Sequence, residues 1–190
     1  MPRPDRSRAA LLDTAALLFR RQGYAATGIN QILDGAGVRP GSLYHHFPDG
    51  KAGLAAAVVD TVGTGIGALL RALLAHPDPV ADLMDRWVDI LIAGLAADER
   101  DGCPIEPIAT ESVTASPLVR TAAAGVFNDW IGAVADRLRT DGRPGDQAQQ
   151  TASAIISLIE GALLLSRVTG EPGALQHAKT AARSLLETGR

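Results

Sequence analysis

The stretch Val38-Arg-Pro-Gly-Ser-Leu-Tyr-His-His-Phe-Pro-Asp-Gly-Lys51 decides how this chain is read. Of the two tyrosines, three phenylalanines and four histidines in 190 residues, four lie in these fourteen. Pro40 suits the first position of a short helix, where its missing N–H would have had no partner. Phe47-Pro48 ends that helix, because a residue before proline is pushed out of helical geometry. At 100° per residue, Leu43 and Phe47 share one side and belong to a core. Gly41, Ser42, Tyr44 and His45 cover the other side, with His46 at the flank. Such a face fits DNA: Gly41 lets the backbone approach closely, and Ser42, Tyr44 and the histidines can donate to phosphate oxygens.

Two rival readings of the same residues are weaker. His45 and His46 are neighbours, about 100° apart on a helix, so they cannot chelate one ion as an i, i+4 pair would. No cysteine or further histidine stands nearby to complete a zinc set, and no metal site is expected. As a catalytic pair they lack a carboxylate orienter on their own face, since Asp49 lies beyond Pro48. A plain solvated polar face is the bland alternative.

Outward from this stretch the chain continues at helical period. Over roughly residues 6–22, Leu12, Ala15, Ala16 and Phe19 recur at i, i+3, i+4 and i+7, and Gly23 stops the helix at a left-handed position. Thr27 is expected to cap a second helix over about 28–35, with Ile29, Ile32 and Leu33 as its buried stripe and Gly35 and Gly37 at its end. Two short helices joined by a glycine-containing turn, the second displaying hydrogen-bonding residues, describe a helix-turn-helix over Gly28 to Phe47.

Residues Arg8–Leu54 resemble the DNA-binding domain of the TetR/AcrR family of bacterial transcriptional regulators. The resemblance is carried by Leu11-Leu-Asp-Thr-Ala-Ala-Leu-Leu-Phe19, Gly23-Tyr24, Thr27, Ile32, Ala36-Gly37-Val38, Ser42-Leu43-Tyr44-His45-His46-Phe47, Lys51 and Leu54. It implies that Tyr44, His46 and Lys51 contact phosphates, and that Arg39, Gly41, Ser42 and His45 face the bases or their margins, with Thr27 also in the DNA-binding set. Departures from the pattern are Gly28 where a hydroxyl or β-branched residue is usual, Leu33 for an alanine, and Arg39 for a serine or threonine cap. Arg39 loses a cap but sets a cation beside the recognition helix, where it could read guanine or bind phosphate. The segment Pro48-Asp-Gly-Lys51, one residue longer than common, together with Gly102-Cys103-Pro104-Ile105, resembles the LmrA/YxaF-like branch.

Composition agrees with a helical protein. Apolar residues make up 46% of the chain but aromatics only 4%, so the core must be built of Ala, Leu, Val and Ile. The net charge of −3 divides into +2 over residues 1–65 and −5 over 66–190, which permits a polyanionic partner at one end. The single Cys103 cannot form an internal disulfide, the N-terminus lacks a secretory pattern, and no apolar run approaches the roughly 18 residues of a membrane span. A cytoplasmic protein without membrane attachment is expected.

Beyond residue 50, further helices are expected over about 51–75, 80–97, 105–113, 117–139, 147–169 and 172–187. The expected architecture is therefore all-α, about nine helices, with a DNA-binding domain over residues 5–65 and an effector-binding and dimerisation domain over 66–190. Residues 154–165 are apolar around most of their circumference, which suits a helix buried inside the subunit and against a twin; Ile155, Ile159, Leu163 and Leu185 are the expected homodimer contacts. Met84, Trp87 and Leu91, with Phe127, Trp130 and Ile131, are expected to line a pocket for a small apolar effector. The function expected is a homodimeric repressor on a partly palindromic operator, released by that effector, without cofactor and without enzymatic activity. An enzyme or a helical protein adaptor is the alternative; no nucleophile–base–orienter set supports the first, and the second leaves residues 39–46 without a purpose.

Overall fold

The computed structural model describes residues 6–98, 102–112 and 114–188. Among them are nine helices and no strand: α1 (Arg6–Gln22), α2 (Ile29–Ala36), α3 (Pro40–His46), α4 (Gly50–Leu74), α5 (Val80–Ala97), α6 (Glu106–Ser112), α7 (Pro117–Thr140), α8 (Gly145–Thr169) and α9 (Gly173–Glu187). The all-α expectation therefore holds, and the boundaries read from caps and breakers fall within a residue or two. Gly37 closes α2 in the left-handed conformation, at φ 64°, where only glycine avoids a Cβ penalty. Ser116 caps α7 through the Val119 N–H, which reaches its hydroxyl at 3.4 Å.

One cap is corrected. Gly28, not Thr27, stands at the N-cap of α2, and it offers no side chain to the helix. Thr27 is buried and points backward, donating its hydroxyl to the Gly23 carbonyl at 2.7 Å. It closes the α1–α2 turn and leaves the first turn of α2 without a side-chain cap.

The described residues pack as two units. The first holds those up to Thr64 together with Pro104–Val126, and the second holds those of Gly65–Cys103 together with Phe127 onward. In the first unit Leu11, Ala15 and Phe19 of α1 are fully buried with Ile32, Leu43, Leu54 and Val59. Ala16, expected in that stripe, is only half-buried, and Leu11 takes its place. Gly35 allows α1 and α2 to close, since a Cβ there would come within 2.8 Å of the Thr14 methyl.

In the second unit α5, α8 and α9 form the core through Leu83, Met84, Val88, Ile155, Ile159, Leu175 and Ala178. Arg183 of α9 reaches Asp82 at 2.6 Å and Asp85 at 2.7 Å on α5, and Lys179 reaches Asp89 at 2.8 Å. These carboxylates hold the Arg183 guanidinium well above its ordinary pKa. Arg137 of α7 donates to the carbonyls of Leu74, His76 and Asp78, which tie down the end of α4 and the turn after it. Two helices, α4 and α8, contain 18-residue windows of mean hydropathy 1.6 and 1.5, long and apolar enough to cross a membrane by length and composition alone. The expectation that no segment approaches that limit is corrected. Of each window 39% is buried, through residues such as Val58 and Leu70 of α4 and Ile155 and Leu163 of α8.

Glycine makes the packing of α4 testable. A methyl on Gly63 would overlap the Val126 side chain of α7, whereas nothing lies within 4 Å of a methyl on Gly65. Alanine is the better helix former by about 1 kcal/mol, but forced overpacking costs about 1–3 kcal/mol. Gly65→Ala should therefore raise the denaturation midpoint and Gly63→Ala should lower it. Equal effects of the two in urea titrations would contradict the packing described.

Candidate nucleic-acid interface

The site begins with two buried side chains. Leu43 and Phe47 are 1% and 4% exposed, so α3 is seated by one side and its other side is turned to solvent. On that outer side Arg39, Gly41, Tyr44 and His45 are all exposed, with Tyr44 at 54%. Pro40 occupies the first turn after Arg39, which is the N-cap residue but makes no side-chain cap. Its guanidinium has only donors and so offers nothing to the first N–H groups of α3.

Ser42 and His46 are half-buried and tied to α1. The Ser42 hydroxyl donates to Ser7 Oγ at 3.0 Å, and Ser7 Oγ lies 2.9 Å from His46 Nε2. Arg8 packs over the Phe47 ring at 5.6 Å. A seven-residue helix is too short to hold its own shape in water; here it is fixed by two apolar anchors beneath and a hydroxyl link along one flank. Thr27 is 1% exposed, so the expectation that it faces DNA is corrected: its side chain is enclosed by the α1–α2 turn, with its hydroxyl given to Gly23.

Lys51 is in the first turn of α4, with its ammonium 4.1 Å above the Tyr24 ring. Burial pushes its pKa below the usual lysine value, and the Glu111 carboxylate partly offsets this. Burial also raises the pKa of Tyr24, whose ring meets Phe19 at a tilt, 5.4 Å between centroids. Glu111 accepts the Ala25 N–H at 2.5 Å. Ser7 and Glu111 are the residues that sequence reasoning missed. Their partners lie 35 to 39 and 86 positions away, and no local periodicity announces such pairs.

The residues expected at other sites fare differently. Met84 and Trp130 are 1% and 4% exposed, and Trp87, Leu91, Phe127 and Ile131 are half-buried; Phe127 meets Trp130 edge-on at 5.4 Å. The second unit has clefts of about 500 Å³ beside Arg71, His76 and Asp136, about 820 Å³ beside Val80, Arg143 and Leu186, and about 90 Å³ beside Ile92, Leu95 and Ser166. None of the six expected residues lines any of these three. Of the expected dimer contacts, Ile155, Ile159 and Leu163 are 0%, 2% and 4% exposed within one chain. That corrects the expectation, because a partner cannot cover what the subunit already encloses. Leu185 is 41% exposed, and the face of α8 that remains open carries Ala154, Ser157, Gly161, Leu164, Leu165 and Val168. Cys103 is buried.

A helix-turn-helix with an outward polar recognition helix, on an all-helical body, defines a DNA-binding regulator. Residues 11–58 match the bacterial regulatory proteins of the tetR family, and residues 79–181 match the C-terminal domain of LmrA/YxaF-like transcriptional regulators. The chain is 34% identical over 184 residues to the uncharacterized HTH-type transcriptional regulator Rv0196 of Mycobacterium tuberculosis, covering 94% of this chain and 93% of that one. It is 29% identical over 182 residues to the HTH-type transcriptional regulator LmrA of Bacillus subtilis, covering 95% and 97%. In fold it is similar to a TetR transcriptional regulator from Legionella pneumophila, with a TM-score of 0.82 at 22% identity over 100% of both chains. This chain belongs to the TetR family of transcriptional regulators, a family of DNA-binding proteins and not of enzymes.

Proposed function

We propose that the protein is a homodimeric repressor, held on a partly palindromic operator by two α3 helices and released by a small apolar effector in the cytoplasm. The observation that carries the reading is the two-sided α3. Leu43 and Phe47 are enclosed while Tyr44 and His45 stand free, and Arg39 and Lys51 bracket them with positive charge. In this reading Tyr44, His46 and Lys51 hold phosphates, and Arg39, Gly41, Ser42 and His45 meet base edges. Thr27 serves by fixing the turn. A twofold assembly sets two such helices one DNA turn apart, which calls for an operator of matching symmetry.

Affinity should fall steeply with salt as phosphate contacts release counterions. Tyr44→Ala and Lys51→Ala should weaken all duplexes about equally, Lys51→Ala lowering the salt slope by about one, whereas Arg39→Ala should change sequence preference by about 1–3 kcal/mol at one position. Gel shifts that ignore salt, or that are unchanged by the double Tyr44→Ala, Lys51→Ala variant, would contradict the reading.

The open face of α8, with Leu185 of α9, supports a dimer through these two helices. Its exposed apolar residues include Leu165 at 56% and Val168 at 75%, and its Ala154, Ser157 and Gly161 would let two helices approach closely. Val168→Asp should yield a folded monomer by sedimentation, while Ile159→Asp should cost the fold itself, since it buries a charge. A dimeric Val168→Asp protein would contradict this interface.

Trp87, Phe127 and Trp130 bring rings onto α5 and α7 of one unit, and an apolar molecule entering there must part them, because Met84 and Trp130 are sealed. To empty the operator it must prefer the non-binding spacing; a hundredfold preference is worth about 2.7 kcal/mol. Titration with planar aromatic compounds should shift tryptophan emission at the concentrations that abolish the gel shift. Binding that leaves DNA affinity intact would remove the effector from the account.

A further inference from the structure

We propose that Glu111 of α6 competes with the DNA backbone for Lys51, and so sets how tightly the reading head binds; this rests on Lys51 being a phosphate contact. The geometry brings two charged groups to Gly23, Tyr24 and Ala25 of the α1–α2 turn. Glu111 Oε2 accepts the Ala25 N–H at 2.5 Å. A Cβ on Gly23 would come within 2.5 Å of Glu111 Oε1, and at φ 85° a side chain there is strained in any case. Between these positions the Tyr24 ring carries the Lys51 ammonium on its face at 4.1 Å. The carboxylate and the ammonium thus both touch one turn, at Ala25 and Tyr24, although they come from α6 and α4.

Lys51 has one charge to share. A DNA phosphate arriving at the first turn of α4 must draw that ammonium from the ring and from the field of Glu111, or bind it less well. At Lys51 burial disfavours the charged form, and the Glu111 charge favours it. Glu111 is exposed, so solvent screens the pair and its effect is a few-fold change in affinity, not an all-or-none switch. The next residue bears on whether α6 can release it. Ser112 is fully buried and its hydroxyl has no hydrogen-bond partner among the described residues, so the present position of α6 leaves a polar group uncompensated. The position of α6 would then adjust the charge available to DNA.

Glutamine at 111 separates the charge from the turn, because its amide oxygen still accepts the Ala25 N–H. Binding of a random-sequence duplex at low salt, followed by fluorescence anisotropy, suits the test, since a phosphate contact needs no operator. Glu111→Gln should tighten binding about two- to fivefold with an unchanged Tm. In a Lys51→Ala background the same substitution should have no effect. Equal tightening in both backgrounds would reduce the effect to net charge and overturn the proposal. Weaker binding with a lower Tm would make Glu111 a structural pin and overturn it as well. Failure of the unaltered protein to bind any duplex would instead overturn the DNA reading beneath it, a result distinct from the other two.

Discussion

Everything that α3 offers depends on the burial of Leu43 and Phe47. A seven-residue helix begun by proline and ended by proline has almost no stability of its own. Enclosing two large apolar side chains contributes about 1.5–3 kcal/mol each, and their spacing of four residues leaves the helix only one orientation. The hydroxyl of Ser7 then reaches Ser42 and His46 from α1. Two of the residues counted as DNA contacts are therefore also struts, and their exposure is less than that of Tyr44 and His45. The same economy holds at Lys51, whose ammonium is presented on an aromatic face and in the field of Glu111.

How much of this could be read from sequence follows from the range of each interaction. Pro40, Phe47-Pro48, Gly23 and Ser116-Pro117 act within a few residues, so the helices they bound were legible. The sides of α3 were legible for the same reason, since Leu43 and Phe47 lie one turn apart. Thr27 was assigned to the wrong end of its turn because a hydroxyl can close backward onto Gly23 as well as forward onto a helix, and the sequence does not distinguish these. Glu111 and Ser7 were not legible at all. Their roles come from partners brought together only by the fold.

The two sides of α8 were not legible for a different reason. Residues 154–165 are apolar on nearly every side, so periodicity could not say which side faces inward. The structure gives the bulky side, Ile155, Ile159 and Leu163, to the subunit core. The side left open is lined by Ala154, Ser157 and Gly161 before it ends in Leu164, Leu165 and Val168. Large residues filling a core and small ones left outside fit close helix contact, where backbone approach matters more than side-chain volume. The aromatic residues of α5 and α7 show a similar limit, since rings suited to a pocket also serve as packing, and here Met84 and Trp130 do the latter.

The central claim is that the outward side of α3, with Lys51 beside it, is where DNA is held. Hydrogen exchange measured by mass spectrometry with and without a saturating duplex tests it most directly, because exchange reports position along the chain. The account predicts slowed exchange in peptides spanning residues 39–51, and none in peptides spanning α5. Protection that falls on α5 and spares residues 39–51 would contradict it.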